Sequence, residues 1–427
     1  MSTGLSNLLR PRSVAVVGAA ERETSSGGAV LRNLRVSGFK GTVIPVNPKG
    51  GEILGYTAKT TLAEVVPPAD LAVIVIRPES ILDAVREAAA SGHKNLLILP
   101  GGFAEAGELG IARDAELRLL CAEQGVRIAG PNCAGVIDRL DPEQPFAATF
   151  LRDMPRGGPV AFISQSGAIA EEVIARSHAL SLPFGAIISV GNAVHLGITE
   201  YLEHYGDDPA CKAIALYVES FGELDRFRAA ARRIAKTKPI LALVGGRTAE
   251  GVAAVQRHTG SAALDTASLD RFFAEAGVIR VENLRRLLIA AKGLGAFPQG
   301  LGERVLVLSN SGGPGVLTTD SAIREGLVLP ALPPALTSTL RAALPAEAAV
   351  ANPLDLLADA REDRFAMVLE ETLRHARGTF DSILGMHVVP FMVNAQPVVE
   401  RLAAIAAAND VPMMHTMMGT ITGKQEW

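Results

Sequence analysis

The sequence predicts an α/β protein built from three successive parallel-sheet domains. Three observations carry that prediction. Short β-branched runs alternate with helical periods along most of the chain. Many runs are continuously apolar, as in "LAVIVI" and "RVLVLS", which suits strands covered on both faces rather than half-exposed ones. Small residues, among them 42 glycines in 427 residues, gather where a run gives way to a helix, the place where a strand-to-helix turn needs them.

Taken in order, "SVAVVGAA" leads through "ERETSSGG" into "AVLRNLRVSGF". "GTVIPVNP", "LAVIVIRPESILDAVREAAASG", "NLLILPGGFAEAG" and "VRIAGPNCAGV" complete a first unit, placed at residues 1–145. A second series opens at "GPVAFISQSGAIAEEVIARSHALSL" and runs through "FGAIISVGNAV", "CKAIALYVESFGELDRFRAAARRIAKT" and "PILALVGGRTAEG". It is placed at 150–298 and ends in the Gly/Pro-containing "GLGAFPQGLGE". The third, 302–427, starts with "RVLVLSNSGGPGVLTTDSAIREGL". Its last stretch, "VPMMHTMMGTITGKQEW", begins like a strand and turn with no closing helix, so this domain reads as short of its last elements or unusually ended.

Composition narrows the function. Hydrophobic residues are 48%, charged residues 20%, and the net charge is −4. Neither a nucleic-acid footprint nor a membrane span is expected. Cys121, Cys133 and Cys211 are odd in number and lack CxxC spacing. That argues against a disulfide framework or a zinc site, and points to the cytoplasm. No metal ligand set is expected.

Ligands of open α/β sheets bind outside the carboxyl ends of the strands, so the turns carry the candidates. After the first strand there is no G-x-G-x-x-G, and the second strand ends in Asn47 and Lys49 rather than an acidic residue. A cation there suits a phosphate better than a ribose diol. Gly18, Ala19, Ala20, Ser25 and Ser26 can offer donors at a helix N-terminus. The combination fits a phosphorylated adenosine ligand such as coenzyme A; a solvated lysine beside a plain turn is the alternative. Val46 and Arg77, at the ends of neighbouring runs, are counted with the same site, as are Asn132 and Cys133 of "GPNCAGV", the cysteine as a lining group only.

In the second unit Ser164, Gln165, Ser166 and Gly167 form a polar hinge before a helix, and Gly191 and Asn192 follow the next strand. Helix N-termini attract anions, although a plain N-cap explains Ser166 nearly as well. Glu219 ends the apolar run "IALYV". A carboxylate there either pairs with an arginine or orients an imidazole, leaving the other ring nitrogen nucleophilic. His258, in "QRHTGSAAL", lies one strand on and is the candidate partner.

These motifs, "GPNCAGV", "SQSG", "SVGN", "YVES" and "GRTAEGVAAVQRHTGSAAL", with "SNSGGPGV" and "NPLDLL" beyond them, resemble in order the α subunit of NDP-forming acyl-CoA synthetases. These are the ADP-forming acetyl-CoA synthetases, in the succinyl-CoA synthetase superfamily. The resemblance implies a Rossmann-like CoA-binding domain followed by two flavodoxin-like parallel-sheet domains. It implies a ligase in which acyl group, phosphate and CoA interconvert through an acyl phosphate. His258 carries the phosphoryl group, Glu219 orients it, the 164–167 hinge holds phosphate, and the 18–20 and 47–49 turns hold CoA. ATP or ADP, with Mg2+, would sit on an ATP-grasp β subunit, since no P-loop and no such module is read here, so a hetero-oligomer acting on a small carboxylic acid is expected. A non-catalytic CoA- or acyl-CoA-binding regulatory module is the alternative. The sequence departs from the family pattern at Val244 before "GGR", at His195 in "GNAVHLG", in "RHTG" and in "GGFAE". Glycines 245, 246, 251 and 260 suggest that the histidine rides on a mobile loop.

Overall fold

A computed structural model describes residues 5–246, 248–259, 266–389 and 394–418, with the side chains of 256–259, 266 and 267 also outside the description. Two bodies are present, residues 1–298 and 299–427.

The first body holds two sheets. In the first, Thr42–Val46, Ser13–Val17, Leu71–Ile74, Asn95–Ile98 and Arg127–Ala129 lie side by side, all parallel. Numbered along the chain, this is the doubly wound order 2-1-3-4-5, with its reversal between the first and third strands. Every residue of Leu71–Ile74 and Asn95–Ile98 is buried, which is why these runs do not alternate. The second sheet repeats the order with Val160–Ser164, Phe184–Ser189, Ala213–Val218, Ile240–Val244 and Ile279–Val281.

Two further strands, Gly135–Asp138 and Phe146–Thr149, add to the second sheet in antiparallel fashion. The sequence reading carries the first unit to residue 145. Hydrogen bonding instead gives Gly135–Asp138 to the second sheet, beside Ala186–Ile188. A four-residue apolar run has no sheet identity of its own; the turn before it decides which edge it meets. One apolar core runs through both sheets, joining Leu8, Val14 and Val73 to Val136, Ile163 and Leu216. Arg10 reinforces the junction, pairing with Asp208 at 2.5 Å and with the buried Asp138 at 3.5 Å.

The second body has a four-stranded parallel sheet in the order Leu354–Asp355, Val305–Ser309, Ser382–Val388, Met413–Met418. Its wiring is again 2-1-3-4. Helices Glu362–His375 and Gln396–Ala407 bury Phe365, Val368, Leu402 and Ile405 against Leu306 and Leu308. No described helix is long and apolar enough to cross a membrane.

Candidate functional site

Gly18 stands at the strand reversal of the first sheet with φ +89. A Cβ there would lie 2.3 Å from the carbonyl of Val75, so only glycine allows the two strand ends to meet. The helix Ser26–Val36 starts beside it, capped by Ser25, whose hydroxyl accepts from the Gly28 N–H at 3.3 Å. Gly27 packs so tightly that its Cβ would meet the Gly18 carbonyl at 2.2 Å. The helix has no acidic residue in its first turn, so its N-terminal partial charge is left for an anion. Asn47 braces the turn by donating to the Ala19 carbonyl at 2.8 Å and accepting from the Lys49 N–H at 2.9 Å. Lys49 and Arg77 are exposed, while Ala20 is half-buried. Val46 and Ala19 are buried. Val46 contributes packing and a carbonyl that accepts from the Gly18 N–H, not a side chain for a ligand.

At the reversal of the second sheet, Ser164 ends its strand fully buried. Its hydroxyl donates to the Ser166 carbonyl at 2.7 Å and accepts from the Ser166 N–H at 3.2 Å. Ser166 caps the helix Gly167–Leu180 by accepting from the Ile169 N–H. Gln165 turns its amide to the neighbouring strand end. Its oxygen accepts from the N–H groups of Glu219 and Ser220, at 2.5 and 2.8 Å, and its nitrogen donates to the Ser220 carbonyl at 2.9 Å. The sequence reading offers all four hinge residues to phosphate. The structure uses the Ser164 hydroxyl and the Gln165 amide to build the hinge and the Ser166 hydroxyl to cap Ile169, which leaves the N–H groups of Gly167 and Ala168 as the candidates for an anion.

Glu219 is half-buried and accepts from the Tyr217 hydroxyl at 3.1 Å. Burial first, and then the Glu219 charge, push that hydroxyl above its usual range. A Cβ on Gly245 would fall 3.6 Å from Glu219 Cγ and 3.5 Å from Val255 Cγ2. The turn at Gly245 therefore lies between the helix Ala249–Thr259 and the Glu219 strand end, within ordinary contact distance of Val255 and Glu219. His258 belongs to the last turn of that helix, one turn beyond Val255; its side chain and Gly260 lie outside the described residues. The sequence reading expects a loop here. Residues 249–259 are instead helical, with Thr248 at the start accepting from the Gly251 N–H at 3.0 Å, and residues 260–265 lie outside the described residues. The alanines of the helix, Gln256 and Arg257 favour that state, outweighing one glycine.

Gly191 (φ +65) brings the next turn onto the first sheet: a Cβ would meet the Pro131 carbonyl at 2.2 Å. Asn192 accepts from the Asn132 amide at 3.2 Å and donates to Glu105 at 2.5 Å. Glu105 is not among the site residues that the sequence suggests. Its motif, "GGFAE", draws notice there only as a departure at its first glycine. A cleft of about 560 Å³ joins the two reversals, lined by Ser26, Val75 and Asn132 from one side and Gln165, Ser166 and Gly167 from the other. Cys133 also lines it but is buried, with Sγ against the Ile98 carbonyl at 3.4 Å.

Burial pushes the thiols of Cys133 and Cys211 up to about 12 and that of Cys121 to about 11. Because the thiolate is the reactive form, the native chain is expected to resist iodoacetamide at pH 8. Alkylation should appear only on denaturation, as intact-mass spectrometry would show. Rapid native labelling of Cys133 would reopen a nucleophilic role.

Residues 12–139 match the CoA binding domain family, 157–294 the succinyl-CoA ligase like flavodoxin domain, and 305–425 the ligase-CoA domain. The α subunit of ADP-forming acetate–CoA ligase II from Pyrococcus furiosus is 34% identical over 95% of this chain and 87% of its own length. The ADP-forming 4-hydroxybutyrate–CoA ligase of Nitrosopumilus maritimus is 28% identical, and the match spans 98% of this chain but 60% of that protein. Among solved structures, dinucleotide-forming acetyl-coenzyme A synthetase 1 of Ca. Korarchaeum cryptofilum, in complex with phosphate and ADP, superposes with a TM-score of 0.90 at 30% identity, covering 98% of this chain and 89% of that one.

Proposed function

Because the chain belongs to the ADP-forming acyl-CoA ligase family, at the level of its α subunits, we propose that it interconverts acyl-CoA, phosphate and NDP with a carboxylic acid, CoA and NTP. The observation that carries the reading is the placement of the His258 helix beside Glu219, whose backbone N–H is held by the same hinge that starts the Gly167–Leu180 helix. The turn proposed to hold the anion and the turn that carries the proposed orienting carboxylate share one strand reversal.

In the proposed sequence CoA is a substrate. Its phosphates meet the Ser26–Val36 helix N-terminus near Gly18–Ala20, with Asn47 bracing the turn and Lys49 and Arg77 at its rim. The close packing of Gly18 and Gly27 leaves backbone rather than side chain facing that ligand, which fits a bulky polyphosphate. The acyl end runs along the cleft toward Asn132. Phosphate held at the Gly167 helix end attacks the thioester carbonyl through oxygen; the C–S bond breaks and the leaving thiolate takes up a proton. A ring nitrogen of His258 then attacks phosphorus, the P–O bond to the acyl group breaks, and the carboxylate departs. Glu219 holds the other ring nitrogen protonated and supports the cation that forms. The protein's part is position and charge, as phosphoryl transfer requires. The nucleotide that accepts the group, with Mg2+, would be held by an ATP-grasp partner subunit, and the protein would work as a hetero-oligomer in the cytoplasm. Names of catalysts among its relatives favour this over a regulatory CoA-binding module.

The test uses labelled phosphate, magnesium and a panel of acyl-CoA esters. Acid-labile, base-stable label on the chain is the expected result. No label with any ester would favour the binding module.

A further inference from the structure

Glu105 lies on the short turn Ala104–Ala106, which follows the first-sheet strand Asn95–Ile98 and packs against the Ala249–Thr259 helix. One of its oxygens accepts from the Gly102 and Phe103 N–H groups at 2.6 and 3.2 Å; the other accepts from the Asn192 amide at 2.5 Å. Burial alone would raise its carboxyl, but the Asn192 amide and these N–H groups hold it below the usual range. It is therefore an acceptor only.

That has a directional effect. An asparagine amide has a donor end and an acceptor end, and its neighbours decide which faces where. Glu105 can take only the donor end of Asn192. The Asn192 oxygen must then face Asn132, and does, accepting at 3.2 Å. Asn132 in turn must present its amide nitrogen on that side. Of the two N–H bonds on that nitrogen, one goes to Asn192; the other has no hydrogen-bond partner among the described residues, and Asn132 lines the cleft together with Ser166 and Gly167.

Resting on the ligase reading above, we infer that Glu105 is a positioning residue: through Asn192 it fixes the amide of Asn132 with a donor toward the phosphate and thioester end of the cleft. The relay spans both sheets, since Glu105 and Asn132 follow strands of the first and Asn192 a strand of the second. The Glu105 carboxylate touches no reacting atom. Its contribution is the sense in which a two-amide relay points, next to the helix that carries His258.

The test is equilibrium binding of inorganic phosphate to the full chain, by calorimetry. Glu105→Gln is nearly isosteric, and its carbonyl can still accept from Gly102 and Phe103, so the turn keeps its caps. Its amide, however, now donates to Asn192 and invites both asparagines to flip. Phosphate affinity is expected to fall about 10-fold, the effect of losing one donor to an anion, with the thermal midpoint shifted by no more than about 2 °C. Glu105→Gln combined with Asn192→Asp restores the polarity: the amide introduced at position 105 donates to the carboxylate introduced at position 192, which accepts from Asn132. The double variant is expected to recover to within about threefold of wild type. A merely structural Glu105 would make the double variant worse than the single. Wild-type affinity in Glu105→Gln, no recovery in the double variant, or no phosphate binding by the wild-type chain would each overturn the inference. Failure of the ligase reading shows separately, as absence of acyl-CoA-dependent label on a chain that binds phosphate normally.

Discussion

His258→Ala is expected to abolish the acid-labile label and to lower nucleotide formation from acyl-CoA by at least about 10³-fold, since no other group can take over a covalent relay. Thioester cleavage should survive. In the proposed sequence phosphate attacks the acyl carbon before the imidazole acts, so CoA release supported by arsenate, whose acyl ester hydrolyses spontaneously, should continue near the wild-type rate. The two assays together separate a relay residue from one that holds the fold, because a collapsed site would lose both. A variant that keeps its label would remove His258 from the mechanism, and one that loses arsenate-dependent CoA release as well would point to a wider structural role.

The second large effect is expected at Glu219. Glu219→Gln leaves an oxygen to accept from Tyr217, whose hydroxyl lies 3.1 Å away, and leaves the backbone N–H bonded to Gln165. What changes is the other half of the side chain, which would now donate where the proposed relay needs an acceptor for the His258 imidazole. The ring would then be held in the wrong tautomer. Comparable changes in orienting carboxylates reduce turnover by up to ~10⁴; here a fall of about 10²–10³ in the rate of label formation is expected, with the half-saturating acyl-CoA concentration little changed. Rapid-quench measurement of labelling gives the rate directly. A rate within about threefold of wild type would show that Glu219 does not orient the ring.

Much of this is readable from sequence, and the limits have physical causes. Buried parallel strands announce themselves as unbroken apolar runs, and the residue that ends each run marks a strand's carboxyl end. Gly18, Ser164 and Glu219 stand out in that way. Sheet membership is a different matter, because Gly135–Asp138 could extend either sheet and only its contacts decide. Side-chain use is also hidden. Ser164 and Gln165 have the right chemistry for an anion, yet their best partners are the Ser166 backbone and the Glu219–Ser220 strand end. Glu105 escapes notice for the converse reason. A glutamate in a glycine-rich turn looks solvated until the amide of Asn192, 87 positions away in sequence, is brought to it. The helical state of the His258 segment follows from ordinary propensity, which several nearby glycines obscure by suggesting a loop.

The serine latch of the second sheet recurs in the second body. Ser309 donates to the Ser311 carbonyl at 2.9 Å and accepts from its N–H at 3.0 Å, while Asn310 reaches the Val388 strand end as Gln165 reaches Glu219. A turn closed on itself in this way has its shape before any guest arrives. If, as proposed, the hinge of residues 164–167 receives an anion, little entropy is lost on binding, and the dipoles need not reorganise as charge moves during transfer. Crystals grown with and without phosphate should therefore show the same backbone at residues 164–167, and the work of binding would fall on whatever must travel, not on the cradle.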